Sequence, residues 1–417
     1  YPRGLHNGYG LLFGPRFGFA LDVFGDARTA IRGGWGMFYN RPNMSFNYLR
    51  FAGQTPFVQN PILYYGTLNT LRSSSGVVFP QNVNGFDRES KIPSVMNFSF
   101  SIQQAVGFGA VVDAAYVGSL GRNLMWIRDV NTIPFGANFD PRNADPSNPA
   151  VPLSASFLRP LRGYNAINLS EAGASSSYHS LQVTARRRFT AGLQFGAAWT
   201  WSKAMDYVDS DSAAISNLVP ARVWSYGLAA FDRTHVFKFD WLWDVPKVKT
   251  DNPVLGKIVN GWQLSGITSF VSGAPLGVGY STTVGIDITG TASQGARVAL
   301  TGNPNLPKSE RTFSRNFRTE VFRLPARGTI GGAAKTVIRG PGINNWDAAV
   351  FKNIPVWEAI RLQFRWEFYN AFNHTQFSGL DTTARFDPAG NQVNARFGEF
   401  TAARPARVMQ GALRFSF

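Results

Sequence analysis

The sequence contains no cysteine, which excludes disulfides and thiolate metal sites and leaves the redox compartment open. It has no run approaching eighteen consecutive apolar residues, so a transmembrane helix is excluded; a barrel whose strands alternate in polarity is not. Charge is also scarce: Asp, Glu, Lys and Arg make up 16% of the 417 residues, against about 25% in an ordinary soluble domain. Histidine occurs only as His6, His179, His235 and His374, with no His-x-x-x-His pair, and no Gly-x-Ser-x-Gly elbow is present. Catalytic, cofactor and metal sites are therefore expected to be absent, and the protein is expected not to be an enzyme. His374 is expected to be a hydrogen-bonding loop residue. Asp206, Asp209 and Asp211 lack the glycine and terminal glutamate of a calcium loop and read as a solvated loop.

What the chain has is glycine (42), phenylalanine (35) and 14% aromatics, a mixture suited to strands and turns rather than helices. The formal charge of +16 is scattered, and the longest basic run is Arg186-Arg187-Arg188. No basic helix or recognisable module accompanies it, so nucleic acid is not an expected partner. Basic side chains lining a lumen or meeting anionic lipid headgroups account for the excess.

Strict alternation of apolar and polar residues recurs along the chain. Leu362, Phe364, Trp366 and Phe368 alternate with Arg361, Gln363, Arg365 and Glu367. Phe237, Phe239, Trp241 and Trp243 alternate with Lys238, Asp240 and Leu242, and Leu181, Val183 and Ala185 with Gln182, Thr184 and Arg186. Aromatic apolar faces, fully charged polar faces and strands of about 9–11 residues favour a membrane barrel over a soluble sandwich. The pattern predicts about eleven strands, near 15–21, 29–39, 94–103, 109–118, 177–189, 191–203, 231–243, 260–273, 343–353, 359–372 and 406–417. The gaps alternate in length. Asp22–Arg28, Gln104–Phe108, the Thr190 corner and Ile354–Glu358 are short, and Asp244–Val259 is intermediate. Asn40–Pro93, Ser119–Ser176, Ala204–Ala230, Ala274–Gly342 and Asn373–Ala406 are long. Outer-membrane barrels have short periplasmic turns and longer extracellular loops. With Phe417 at the periplasmic end the strand number is odd, whereas bacterial barrels are even, so a parent of about twenty-two strands is expected. The chain opens at Tyr1 in a loop-like stretch and shows no signal peptide, and it is expected to be a fragment or a processed product.

The last ten residues end on alternating aromatics. Gln410, Ala412, Leu413, Phe415 and Phe417 resemble the C-terminal assembly signal of outer-membrane barrels, with Ala412 where glycine is usual. Further motifs are Gly14-Pro15-Arg16-Phe17-Gly18-Phe19-Ala20, Ile31 to Arg41, Phe231-Asp232-Arg233-Thr234-His235-Val236, Asn260 to Gly266, and Phe368 to Phe377. Together they resemble the barrel of TonB-dependent outer-membrane receptors, in the Oar-like branch. The resemblance spans nearly the whole chain. It implies an all-β, transmembrane antiparallel barrel of 22 strands, of which 1–417 would be the C-terminal half. A plug, an energy-coupling segment and a carboxypeptidase-regulatory-like domain would lie upstream, outside this sequence. It implies uptake or binding of a bulky solute at the cell outer membrane. The partners would be membrane lipid, the barrel-assembly machinery and the TonB energy-coupling complex.

Arg186, Lys238, Asp240, Arg361, Arg365 and Glu367 are expected to line the lumen where a plug docks. Tyr178, Trp199, Trp201, Trp241, Trp243 and Trp262 read as interfacial girdle residues rather than a carbohydrate-stacking surface. Two other functions fit the sequence: a surface scaffold or adhesin without transport, and a soluble secreted β-protein that binds polysaccharide.

Overall fold

The structure, a computed structural model, describes residues 7–40, 49–63, 67–70, 76–357 and 360–417. The expectations placed on His6, Arg41, Glu358 and Ala359 lie outside the described residues.

Eleven strands follow one another along a single path through the main sheet. They are β1 (Arg16–Asp22), β2 (Thr29–Tyr39), β3 (Ser94–Gly107), β4 (Ala110–Asp129), β5 (Tyr164–Thr190) and β6 (Leu193–Asp206). The path continues through β7 (His235–Asp244), β8 (Trp262–Val271), β9 (Ile343–Trp357), β10 (Ile360–Tyr369) and β11 (Val408–Ser416). Every neighbouring pair is antiparallel. An antiparallel meander brings alternate connections to the same end. The five long ones therefore gather at one end of the sheet, opposite the turns that follow β1, β3, β5, β7 and β9. Strands β1 and β11 each have one hydrogen-bonded neighbour among the described residues, so the sheet has two open edges.

Register sorts the side chains by face, because successive residues in a strand point opposite ways. One face carries Phe17, Trp35, Phe98, Tyr116, Leu181, Trp199, Phe237, Phe270, Trp346, Trp366 and Met409, an apolar and largely aromatic belt across all eleven strands. Glycines let large rings lie across a neighbouring strand. A Cβ on Gly118 would fall 2.2 Å from the Phe98 ring, and one on Gly266 would fall 2.7 Å from Trp241. The opposite face is mainly polar, with Arg32, Gln103, Asp113, Gln182, Asp347 and Gln410. It also carries Ile267 and Phe351, the latter lying under the Arg365 guanidinium at 5.2 Å.

Two strands are longer than the sequence pattern predicts. The expected loop Ser119–Ser176 is ladder at both its ends, since β4 has 20 residues and β5 has 27, and pairing continues from Leu124↔Ala174 to Asp129↔Asn168. At about 3.3 Å per residue, β5 runs roughly 90 Å, about three times a bilayer's hydrocarbon thickness. Beyond a register shift between Gly121 and Leu124 the hairpin no longer needs one aromatic, one polar face, so alternation fades there. At the other end, the β7–β8 turn holds a helix, Pro253–Val259, whose first N–H groups are capped by Asn252 Oδ1 at 2.9 and 3.2 Å.

Candidate functional site

The long connections do not hang free; they fold on one another into a cap. A core of Val278, Val298, Phe317, Phe322, Ala333, Ile338, Ala384, Phe386 and Phe397 lies wholly within the β8–β9 and β10–β11 connections. Phe317, Phe322 and Phe397 meet edge to face, with centroids 5.1–5.7 Å apart. Such pairs add about 0.5–1.5 kcal/mol beyond their area burial. The β4–β5 connection docks on this body through Ile133, whose N–H donates to Ser293 Oγ at 2.9 Å and whose carbonyl accepts from Thr291 Oγ1 at 2.8 Å. The β2–β3 connection joins by pairing Gln81–Phe86 in parallel with the start of β5.

Ion pairs clamp the cap to the strand ends. Asp232 has a side chain only 1% exposed; its Oδ2 accepts from Arg339 at 2.7 Å and its Oδ1 from the Ala204 N–H at 2.7 Å. Lys335 Nζ lies 2.7 Å from Asp206 and 3.4 Å from Asp209; Asp206 ends β6 and is only 4% exposed, so it is a buried ion-pair partner and not the solvated loop residue expected. Burial pushes the Asp209 carboxyl up, but the Ala230 N–H and Lys335 outweigh it and hold it below the usual carboxylate range. Arg128 and Glu171 pair at 2.8 Å across the extended hairpin, and Arg159 reaches Asp129 at 2.9 Å. An aromatic and basic patch sits beside these clamps. Tyr207 packs between Trp126 (5.6 Å) and Tyr226 (5.0 Å), Arg222 lies over Tyr226 at 3.8 Å, and Arg297 over Trp224 at 4.0 Å. The rings meet edge-on or tilted rather than stacked, and Arg297 also donates to the Ala333 carbonyl at 3.4 Å, so the patch is a packed aromatic and cationic surface rather than a reactive centre.

The six residues expected to line the lumen share one face by register: Arg186 with Gly196, Lys238 with Ala198, Asp240 with Ile267, and Arg361, Arg365 and Glu367 along β10. Arg365 and Glu367 form an ion pair, and the Asp240 carboxylate occupies the space left by Gly196. In β11, Gln410 and Ala412 point to the polar face, and Leu413 and Phe415 to the apolar one. Phe417 is fully exposed. Trp199, Trp201, Trp241, Trp243 and Trp262 lie on the apolar face, but Tyr178 pairs with Ala204 and Ser119 on the polar face and is no girdle residue. His374 also departs from expectation. Its Nε2 is buried without a partner, and its hydrogen bond is made by its backbone carbonyl, to Asn370 Nδ2 at 3.2 Å.

Lys352 was not singled out by the sequence pattern. It lies on the apolar face and is 7% exposed, with Nζ donating to the Ile258 carbonyl at 2.7 Å and to that of Asn260, and it sits 4.7 Å from the Trp262 ring centroid. The carbonyl end of the Pro253–Val259 helix thus satisfies a buried cation that would otherwise cost several kcal/mol. No cluster of three or more metal-ligating side chains occurs among the described residues.

Residues 1–410 match the family described as "Outer membrane beta barrel domain". The chain belongs to the outer membrane beta barrel domain family. It resides in the outer membrane, and the soluble, secreted alternative falls away. A barrel-domain sheet in that membrane turns its apolar face to lipid. No curated protein matches the sequence. Similar solved structures include the outer membrane transporter YddB from Escherichia coli, at 10% identity over 96% of this chain and 40% of that one, TM-score 0.48. The siderophore receptor PirA from Acinetobacter baumannii matches at 10% identity over 97% of this chain and 41% of that one, TM-score 0.45. The FrpB iron transporter from Neisseria meningitidis matches at 11% identity over 96% and 39%, TM-score 0.39. This barrel-domain chain spans about two fifths of the length of each.

Proposed function

We propose that the chain is the C-terminal part of the barrel of a TonB-dependent receptor, of the Oar-like branch, which binds and takes up a bulky solute without chemistry. The observation that carries this reading is the cap. Five long connections converge on one end of an outer-membrane sheet and fold there into a body with its own core and an aromatic, basic patch. That end is the extracellular one, as is general for long barrel loops, and the polar face lines a lumen. The open edges of β1 and β11 are where the remaining strands of a 22-stranded barrel join, because an unpaired edge in lipid leaves backbone groups unsatisfied. Arg186, Lys238, Asp240, Arg361, Arg365 and Glu367 then face a plug, and Gln410, Ala412, Leu413, Phe415 and Phe417 act as the signal read by the barrel-assembly machinery. The full-length protein contacts the energy-coupling complex through its N-terminal region.

Uptake of labelled oligosaccharides, peptides and metal chelates by intact cells tests transport. Deleting this gene and deleting the energy-coupling protein are expected to abolish uptake of the same compound; a compound bound at the surface but never internalised contradicts transport. That second outcome fits a surface scaffold or adhesin, a reading favoured by the ion-paired clamping of the cap at Asp232 and Lys335, which holds a fixed binding surface.

A further inference from the structure

A cavity of about 920 Å³ opens at the cap end of the sheet, and its floor belongs to the apolar face. His235, Phe237, Phe270 and Asn344 line it, and register puts all four on the aromatic belt side. Its overhang comes from the cap: Phe313 from the β8–β9 connection, and Phe377 and Phe400 from the β10–β11 connection. Phe377 and Phe400 stack at 4.1 Å, with Phe313 at 5.6 Å from Phe377. The apolar floor runs on into lipid-facing rings, since Phe270 touches Trp346 at 5.6 Å and Trp346 touches Phe372 at 5.6 Å.

The charges around this cleft have one sign. Lys308, Arg311 and Arg339 line it, and no carboxylate does. Arg339 is committed to Asp232, whereas Lys308 and Arg311 make no ion pair among the described residues; Arg311 Nε and Nη2 both donate to the Leu306 carbonyl at 3.0 Å, which fixes the guanidinium without neutralising its charge. The buried Nε2 of His374, also in the lining, has no partner within the protein. An aromatic slot continuous with the bilayer, topped by unpaired cations, matches an amphiphile with an acyl chain and a phosphate head.

We propose that this cleft holds one phosphorylated lipid of the outer leaflet, its head on Lys308 and Arg311 and its chain against Phe237, Phe270 and Phe377. A membrane lipid is the occupant rather than a free solute because the slot opens sideways onto the belt, along which a lipid arrives by lateral diffusion. The inference rests on the proposed orientation, with the long connections outside.

Native mass spectrometry of the full-length protein, delipidated in detergent and incubated with bis-phosphorylated lipid A, tests it. One bound lipid A is expected. The Lys308→Ala/Arg311→Ala variant is expected to bind about a hundredfold more weakly, the weight of two charge-assisted contacts, and Phe377→Ala to bind more weakly too. Lys247→Ala/Lys249→Ala, at the turn end, should bind as the parent does. Equal retention of dephosphorylated lipid A, equal retention by the Lys308/Arg311 variant, or equally tight binding of short-chain alkyl phosphate overturns the proposal. Heat-modifiable migration of each variant reports that the barrel is intact. Labelling of Ser309→Cys in whole cells separates the two levels: no labelling refutes the orientation, and labelling without lipid binding refutes the lipid site alone.

Discussion

The sheet and the cap hold together in different ways. The sheet keeps apolar side chains on an outer surface: Phe100, Tyr116 and Trp201, on strands with neighbours on both sides, are 45–53% exposed. Its ladder of hydrogen bonds sets the geometry, and lipid supplies the apolar environment that a soluble sheet would find in a second layer. The cap does what a small soluble domain does. It buries Phe317, Phe322 and Phe386 to 2% exposure or less and clamps its segments with ion pairs. One chain therefore solves two solvation problems, and a substitution should act according to which solvent its region faces.

The largest expected effect is in the cap core. Phe322→Ala removes a fully buried ring from the edge-to-face trio and should cost about 3–5 kcal/mol of cap stability. Hydrogen exchange should show the β8–β9 and β10–β11 connections losing protection while the barrel keeps its heat-modifiable migration; loss of the barrel as well would break the distinction between the regions. Next comes the apolar face. Phe239→Arg should destabilise the barrel by about 2–4 kcal/mol in urea refolding into vesicles, and Asp240→Arg, one residue away on the polar face, should cost far less. Third, Asp232→Ala strands Arg339 and the Ala204 N–H and should cost about 1–3 kcal/mol, read as faster protease nicking of the β8–β9 connection. Smallest is Arg142→Ala, which breaks a surface pair with an arginine side chain 89% exposed; cap protection from exchange should be unchanged.

The same contrast explains what could be read from the chain. All eleven strands were visible where lipid imposes a two-residue period, as in Leu362 to Phe368 and Phe237 to Trp243. Where β4 and β5 leave that environment, residues 122–129 and 164–175 carry no such period, and their ladder reads as loop in the sequence. The cap core was invisible for a related reason. Phe317 and Phe397 meet from connections separated by two barrel strands, and no local pattern encodes such a contact. Lys352 hid behind its charge, because a lysine on an apolar face makes sense only once the carbonyls of Ile258 and Asn260 are beside it. The six polar-face residues were legible through alternation alone, which gives their side of the sheet but not what they meet.

These 417 residues contain no cysteine, so once any cysteine elsewhere in the full-length protein is replaced, single-cysteine labelling tests the central claim directly, that one face of this sheet meets lipid and the other does not. Lys238→Cys, Phe239→Cys, Asp240→Cys and Trp241→Cys, each made singly in the full-length protein in native membranes, can be labelled with a membrane-impermeant aqueous maleimide and with a lipid-soluble one. The structure predicts strict alternation, with positions 239 and 241 reached from lipid and positions 238 and 240 only from water or shielded from both. Uniform labelling of all four, or lipid access at 238 and 240, would contradict it.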